Sequence, residues 1–218
     1  MEIPQVYIDT NIFKFSATEL PRLRPRVQKV DWGGTEQEVV VHDFVEVNPN
    51  ENIKNHELKR EAEVLPELAS LAKQGRVKFL IQMETELESW GIPNMDSNSG
   101  KFYGAPLEHI EAPITYSRVV AGGHKDPKEM QFEFLAGLKQ KRFIELQKIT
   151  GAYQGERKTN RNQLLDAFHI WCAEHSGCDY FLTMDFKLIK VVANNQKSKL
   201  KVKLIRPSVL LSEIENGT

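Results

Sequence analysis

The sequence predicts an α/β fold of three layers, α/β/α, around a central and mainly parallel sheet, with a β-hairpin inserted. Three observations predict it. Short apolar runs at Val6-Tyr7-Ile8, Val77 to Ile81, Asp179 to Thr183 and Lys201 to Ile205 alternate with helical segments. Such alternation builds parallel sheets with right-handed crossovers. The first run closes on Asp9 and the third runs into Asp185, and in such sheets the working residues gather at the carboxyl ends of strands. Gly33-Gly34, flanked by Val27 to Trp32 and Glu38 to Val47, marks the hairpin.

The elements follow in order. Val6 to Ile8 reads as a buried strand. Pro21 and Pro25 break the pattern that follows it, ahead of the hairpin. Residues 51 to 74 are helical in composition with Gly75 as the stop, and Pro66 interrupts this helix or divides it in two. After the second strand comes a short helix, Met83 to Trp90. Residues 91 to 127, rich in Gly, Pro, Asn and Ser, carry no assignable regular structure. One helix spans about 127 to 150 and another Arg161 to His175, stopped by Gly177. Asp185 to Asn194 is the last helix, and Lys201 to Ile205 the last strand.

The 218 residues, 40% hydrophobic and 27% charged, suit one soluble domain, 1–218, rather than a disordered chain. A formal charge of -1 advertises neither a nucleic acid nor a membrane surface, although charge can be segregated by region. No signal peptide or membrane-length apolar run is visible, and two cysteines make no disulfide framework. The expectation is a cytoplasmic protein with reduced thiols and no membrane partner.

Asp166 stands among Leu164, Leu165, Ala167, Phe168 and Ile170, so its carboxylate is expected in a mostly apolar setting. A salt bridge or cap is the ordinary explanation, and a metal ion the sharper one. In the helix after the second strand, Met83, Leu87 and Trp90 set an apolar face. At about 100° per residue, Glu86 lies about 70° from its centre, Glu84 about 90° and Glu88 about 130°. Glu86 is expected to point inward, with Glu84 as rival and Glu88 toward solvent. Four acids on separate elements, Asp9, Glu86, Asp166 and Asp185, can then converge at one sheet edge. Crowded carboxylates repel, and a hard cation such as Mg²⁺ or Mn²⁺ relieves this and activates water toward phosphodiesters.

Val6-Tyr7-Ile8-Asp9-Thr10-Asn11-Ile12-Phe13, Leu165 to Ile170, Asp179 to Asp185 and the terminal Leu204 to Leu211 together resemble the PIN-domain ribonucleases, whose compact members are the VapC-type toxin nucleases. The resemblance covers residues 1 to 15, about 76 to 90 and about 128 to 211. It implies that Asp9, Glu86, Asp166 and Asp185 bind one or two metals, Mg²⁺ or Mn²⁺, and are catalytic. It implies that Asn11 and Thr183 support them, and that a metal-activated water hydrolyses RNA to leave 5′-phosphate and 3′-hydroxyl ends. Residues at about 19–75 and 91–127 exceed what compact members need and are insertions. RNA is the implied substrate; a protein partner such as an antitoxin and a homodimer are compatible with the family.

Other readings carry less. His169, Cys172, His175 and Cys178 drift around a helix and cannot meet on one zinc ion. His169, one turn beyond Asp166, reads as a core histidine or a phosphate contact. Lys187, Lys190, Lys197, Lys199, Lys201, Lys203 and Arg206 make a basic tail, a solvated face or an RNA groove; Arg22, Arg24, Arg26 and Lys29 form a second cluster. A haloacid-dehalogenase-type phosphatase needs Asp-x-Asp, and here the third residue is Asn11. The alternative from another class is a PIN-like module that binds RNA or protein without cleaving.

Overall fold

The computed structural model describes residues 2–90, 92, 101–117, 126–152, 161–195 and 199–217. A five-stranded, all-parallel sheet forms the middle layer. It contains β1 (Gln5–Ile8), β4 (Lys78–Ile81), β5 (Leu107–His109), β6 (Tyr180–Leu182) and β7 (Lys203–Ile205), in the spatial order β5-β4-β1-β6-β7. The strand bearing Asp9 at its end is therefore central, with Val6 opposite Phe79 on one side and Tyr180 on the other.

Side-chain alternation along these strands makes the two faces. Val6, Ile8, Phe79, Ile81, Leu182 and Ile205 point to one side. There they pack with Ile12 and Phe13 of α1 (Thr10–Ser16), Leu65 and Leu68 of α2 (His56–Lys73) and Leu210 of α8 (Pro207–Asn216). Tyr7, Leu80, Phe181 and Leu204 point to the other. They meet Leu135 of α4 (Pro127–Gly137), Phe143 and Leu146 of α5 (Lys141–Thr150), Phe168 and Trp171 of α6 (Arg161–His175) and Leu188 of α7 (Phe186–Asn194). The three-layer α/β/α fold expected from the sequence is what these layers make. Among the described residues no helix is long and apolar enough to cross a membrane.

Several local expectations are corrected. Pro21 and Pro25 do not break the hairpin, which is longer than expected: β2 (Leu20–Trp32) pairs antiparallel with β3 (Thr35–Val47) over its whole length. In a two-stranded ribbon alternate N–H groups point away from the partner, and a spacing of four places both prolines equivalently. Pro66 does not divide α2, which runs unbroken beneath a buried stripe of Ala62, Leu65, Leu68 and Ala69. Packing of that stripe outweighs one missing backbone bond. The expected single helix at 127 to 150 is two, separated after Gly137. Within the stretch from 91 to 127, β5 adds an edge strand. Before it, a turn holds Phe102 and Tyr103 at φ 52° and 53°. This left-handed geometry costs roughly 1–2 kcal/mol per residue, offset as Phe102 is buried edge-on against Phe79 at 5.0 Å. Residues 91, 93–100 and 118–125 of that stretch, like Lys197, lie outside the described residues. The last helix, α8, follows Pro207 at its first turn and was not expected.

Candidate active site

With β1 central, the chain steps from β1 to β4 on one side and returns to β6 on the other. The crevice at the carboxyl ends of β1 and β6 is the switch point at which open parallel sheets place ligands. Asp9 stands there as the residue preceding α1, but its side chain accepts no backbone N–H of that helix. Asp9 Oδ2 instead accepts from Thr183 Oγ1 at 2.6 Å and from Asn11 Nδ2. Asn11 Nδ2 also reaches Thr183 Oγ1 at 3.0 Å, while Asn11 Oδ1 accepts from the Met184 N–H at 3.0 Å. Asn11 and Thr183 thus tie the ends of β1 and β6 together and fix the Asp9 carboxylate. Asp185 begins α7 and caps it, Oδ1 accepting from the Leu188 N–H at 2.9 Å.

Asp166, on α6, has no hydrogen-bond or ion-pair partner among the described residues. The salt bridge or cap expected of it is not there. Burial, then the charges of Asp9, Asp185 and Glu88, hold its carboxyl well above the usual carboxylate range. Asp9, 6% exposed, is pushed up to about 6, chiefly by burial, with Glu88 and Asp185 adding to it against the pull of Thr183 and His169. The structure therefore brings Asp9, Asp166 and Asp185 into mutual electrostatic range.

The fourth acid in that range is Glu88, not Glu86. In α3 (Met83–Ser89) the buried residues are Glu84, Thr85 and Ser89, while Met83 is 44% and the following Trp90 64% exposed. The helix is inverted relative to the apolar-face expectation, because its inward side chains meet polar groups: Thr85 meets Tyr7 and His169, and Glu84 meets Tyr116 and Gln131. Glu86 turns outward, where Oε2 pairs with His109 Nε2 at 2.8 Å. Glu84 is buried but turns away, Oε2 accepting from Gln131 and Oε1 from Tyr116 Oη at 3.1 Å. Glu88 Oε2 accepts from Thr10 Oγ1 at 2.6 Å and meets His169 Nε2 at 3.1 Å. Burial alone would raise Glu88; His169, Thr10 and the charge of Arg161 outweigh it and hold Glu88 below its ordinary value.

His169 is buried at the hub of this arrangement. Burial pushes the imidazole down and the Glu88 carboxylate more than restores it, so the net direction is upward. Its Nδ1 lies 2.8 Å from Tyr7 Oη and 3.2 Å from Thr85 Oγ1, which are themselves 2.8 Å apart. It is a satisfied core histidine with one edge on a site acid. The i, i+3 spacing of Thr85 and Glu88, beside an inward Glu84, was the sequence signal for the true inward face. Cys172 and Cys178 are free and buried.

Among the described residues no three His, Cys, Asp or Glu side chains stand close enough together to hold one metal ion. A four-carboxylate cage is therefore not what the chain presents. The donor chemistry does fit a hard cation in a simpler way. Among the described residues Asp166 has no counter-cation, and the charge of Asp9 adds to the cost of ionising it. Two carboxylates with several retained waters is an ordinary setting for Mg²⁺. No family model matches the chain, and neither a curated protein nor a solved structure matches it.

Proposed function

We propose that this chain is a metal-dependent endoribonuclease that hydrolyses RNA phosphodiester bonds at the carboxyl ends of β1 and β6. One observation carries the reading: Asp9, Asp166, Asp185 and Glu88, from four separate elements, feel one another's charge, and among the described residues Asp166 has no hydrogen-bond or ion-pair partner. A fold accepts that cost where a cation or a reaction uses the charge. The similarity of Val6 to Phe13 and Leu165 to Asp185 to PIN-domain ribonucleases supports the same assignment.

Asp9 and Asp166 would hold Mg²⁺ or Mn²⁺, with Asp185 in reach of its hydration shell. When bound, such an ion lowers the pKa of a coordinated water and neutralises charge developing on phosphate. Thr183 and Asn11 orient Asp9 by occupying Oδ2. Glu88, kept ionised by His169 and Thr10, is a proton acceptor at the rim of the crevice. In this reading Glu86, paired with His109 on the surface, has no part in the chemistry. The reading carries with it an RNA partner, and leaves room for an inhibitory protein partner and for a homodimer.

A second reading, a PIN-like module that binds without cleaving, draws on the spacing of the acids, no three of which close on one ion. Cleavage of single-stranded RNA with Mn²⁺ or Mg²⁺, against EDTA and an Asp166→Asn variant, separates the two. Metal-dependent cleavage lost in the variant supports the enzyme. Absence of both cleavage and metal binding leaves the module.

A further inference from the structure

The β2–β3 ribbon lies between α1 and α2, and none of its residues is buried. Its cross-strand pairs sort the side chains onto two faces, since directly opposed residues share a face. One face carries Leu23 opposite Phe44, Val27 opposite Val40 and Lys29 opposite Glu38. The other carries Arg22 opposite Val45, Arg24 opposite Asp43, Arg26 opposite Val41 and, at the tip, Trp32 opposite Thr35. The ion pairs agree with this sorting: Lys29 meets Glu36 on the first face and Arg26 meets Asp43 on the second.

Charge is therefore segregated within the ribbon. On the first face Lys29 is outnumbered by Asp31, Glu36, Glu38 and Glu46. On the second, three arginines face Asp43 alone. Arg22 and Arg24 have no hydrogen-bond or ion-pair partner among the described residues. Alternate residues of a strand are about 6.6 Å apart, so the three arginines leave β2 on one face at steps on the scale of a nucleotide, the last of them leaning back to Asp43. Trp32, 74% exposed, stands on the same face at the tip, beyond Gln28 and Val30. A cationic track ending in an aromatic platform is the pattern by which proteins hold single strands without reading their sequence.

We propose that the Arg22-Arg24-Arg26-Trp32 face of the ribbon docks single-stranded RNA, a reading that rests on the nuclease assignment above and supplies its substrate grip. The polyanion answers the charge of this face, whereas the opposite face is acidic and apolar.

The test uses the full chain in EDTA and fluorescence anisotropy with a labelled RNA of about 16 nucleotides. Arg22→Ala/Arg24→Ala should weaken binding about tenfold at low salt and make the salt dependence shallower by about 1.4 in log–log slope. Trp32→Ala should weaken it about tenfold with the slope unchanged. Arg22→Lys/Arg24→Lys should keep the slope, showing that the ribbon persists and that charge is what acts. Wild-type binding that is absent, or that is unchanged in both alanine variants, overturns the proposal. Separately, wild-type cleavage of an RNA of about 4 nucleotides with Mn²⁺ reads the acidic site by itself. Affinity lost in the variants without such cleavage upholds the docking face and removes the nuclease.

Discussion

His169 Nε2 and Glu88 Oε2 stand 3.1 Å apart, and this contact joins α6 to α3 across the end of the central strand. It keeps one acid ionised while the neighbouring Asp9 and Asp166 are pushed the opposite way. In the proposed nuclease, acids with diverging proton affinities would supply both a proton acceptor and charge for a cation.

Glu88→Gln should lower metal-dependent RNA cleavage by about 100-fold, in the range ascribed to a general base. Glu86→Gln should leave it within about twofold, since that side chain faces His109 at the surface. Initial rates of the two variants decide between the helix acids, and the reverse ranking would move the assignment back to Glu86.

Asp9→Asn should abolish cleavage while stabilising the metal-free fold. Burial pushes the Asp9 carboxyl up to about 6, well above its ordinary value, so the native state holds this proton more tightly than the unfolded chain. The stability it contributes is complete below about pH 4 and is lost as pH rises through 6. At pH 7 the charged group costs on the order of 1–3 kcal/mol. Thermal denaturation in EDTA should show the variant gaining most at neutral pH and nothing near pH 4.

Mn²⁺ should raise the melting temperature of the wild type, and Asp166→Asn should remove most of that rise. An ion held by Asp9 and Asp166 would bind the native state and relieve the charge that Asp9 places on Asp166. A melting temperature indifferent to Mn²⁺ would favour the non-catalytic module.

Pro66→Ala should stabilise the protein by about 1–2 kcal/mol, read as a shift in the denaturant midpoint. It restores the backbone bond to Ala62 that an exposed proline denies to an otherwise continuous α2.

The layers and the central strands were legible because β1, β4, β6 and β7 are short apolar runs closed by polar residues, and packing obeyed that pattern. Asp9, Asp166 and Asp185 were legible because each sits at a strand end or inside an apolar helix, where a carboxylate asks for a reason. Glu88 was not, because face arithmetic assumes that apolar side chains point inward. Met83 and Trp90 point out, and the inward face of α3 is Glu84, Thr85, Glu88 and Ser89. β5 was hidden for a different cause: Leu107-Glu108-His109 is a three-residue edge strand with one apolar member, stabilised by pairing with Phe79 to Ile81 rather than by its own pattern. The unbroken hairpin was masked by prolines whose cost depends on which way an N–H points, a property of the ribbon and not of the residue.

Leu20 and Val47 are opposed partners, so the chain enters and leaves the ribbon at one spot. The ribbon is thus an appendage on a single stalk. Lengthening or trimming it by opposed pairs leaves the ends of α1 and α2 where they are and asks nothing of the core. Reach can then vary independently of the acidic cluster: the same body could be fitted with a longer or shorter arm without having to fold anew.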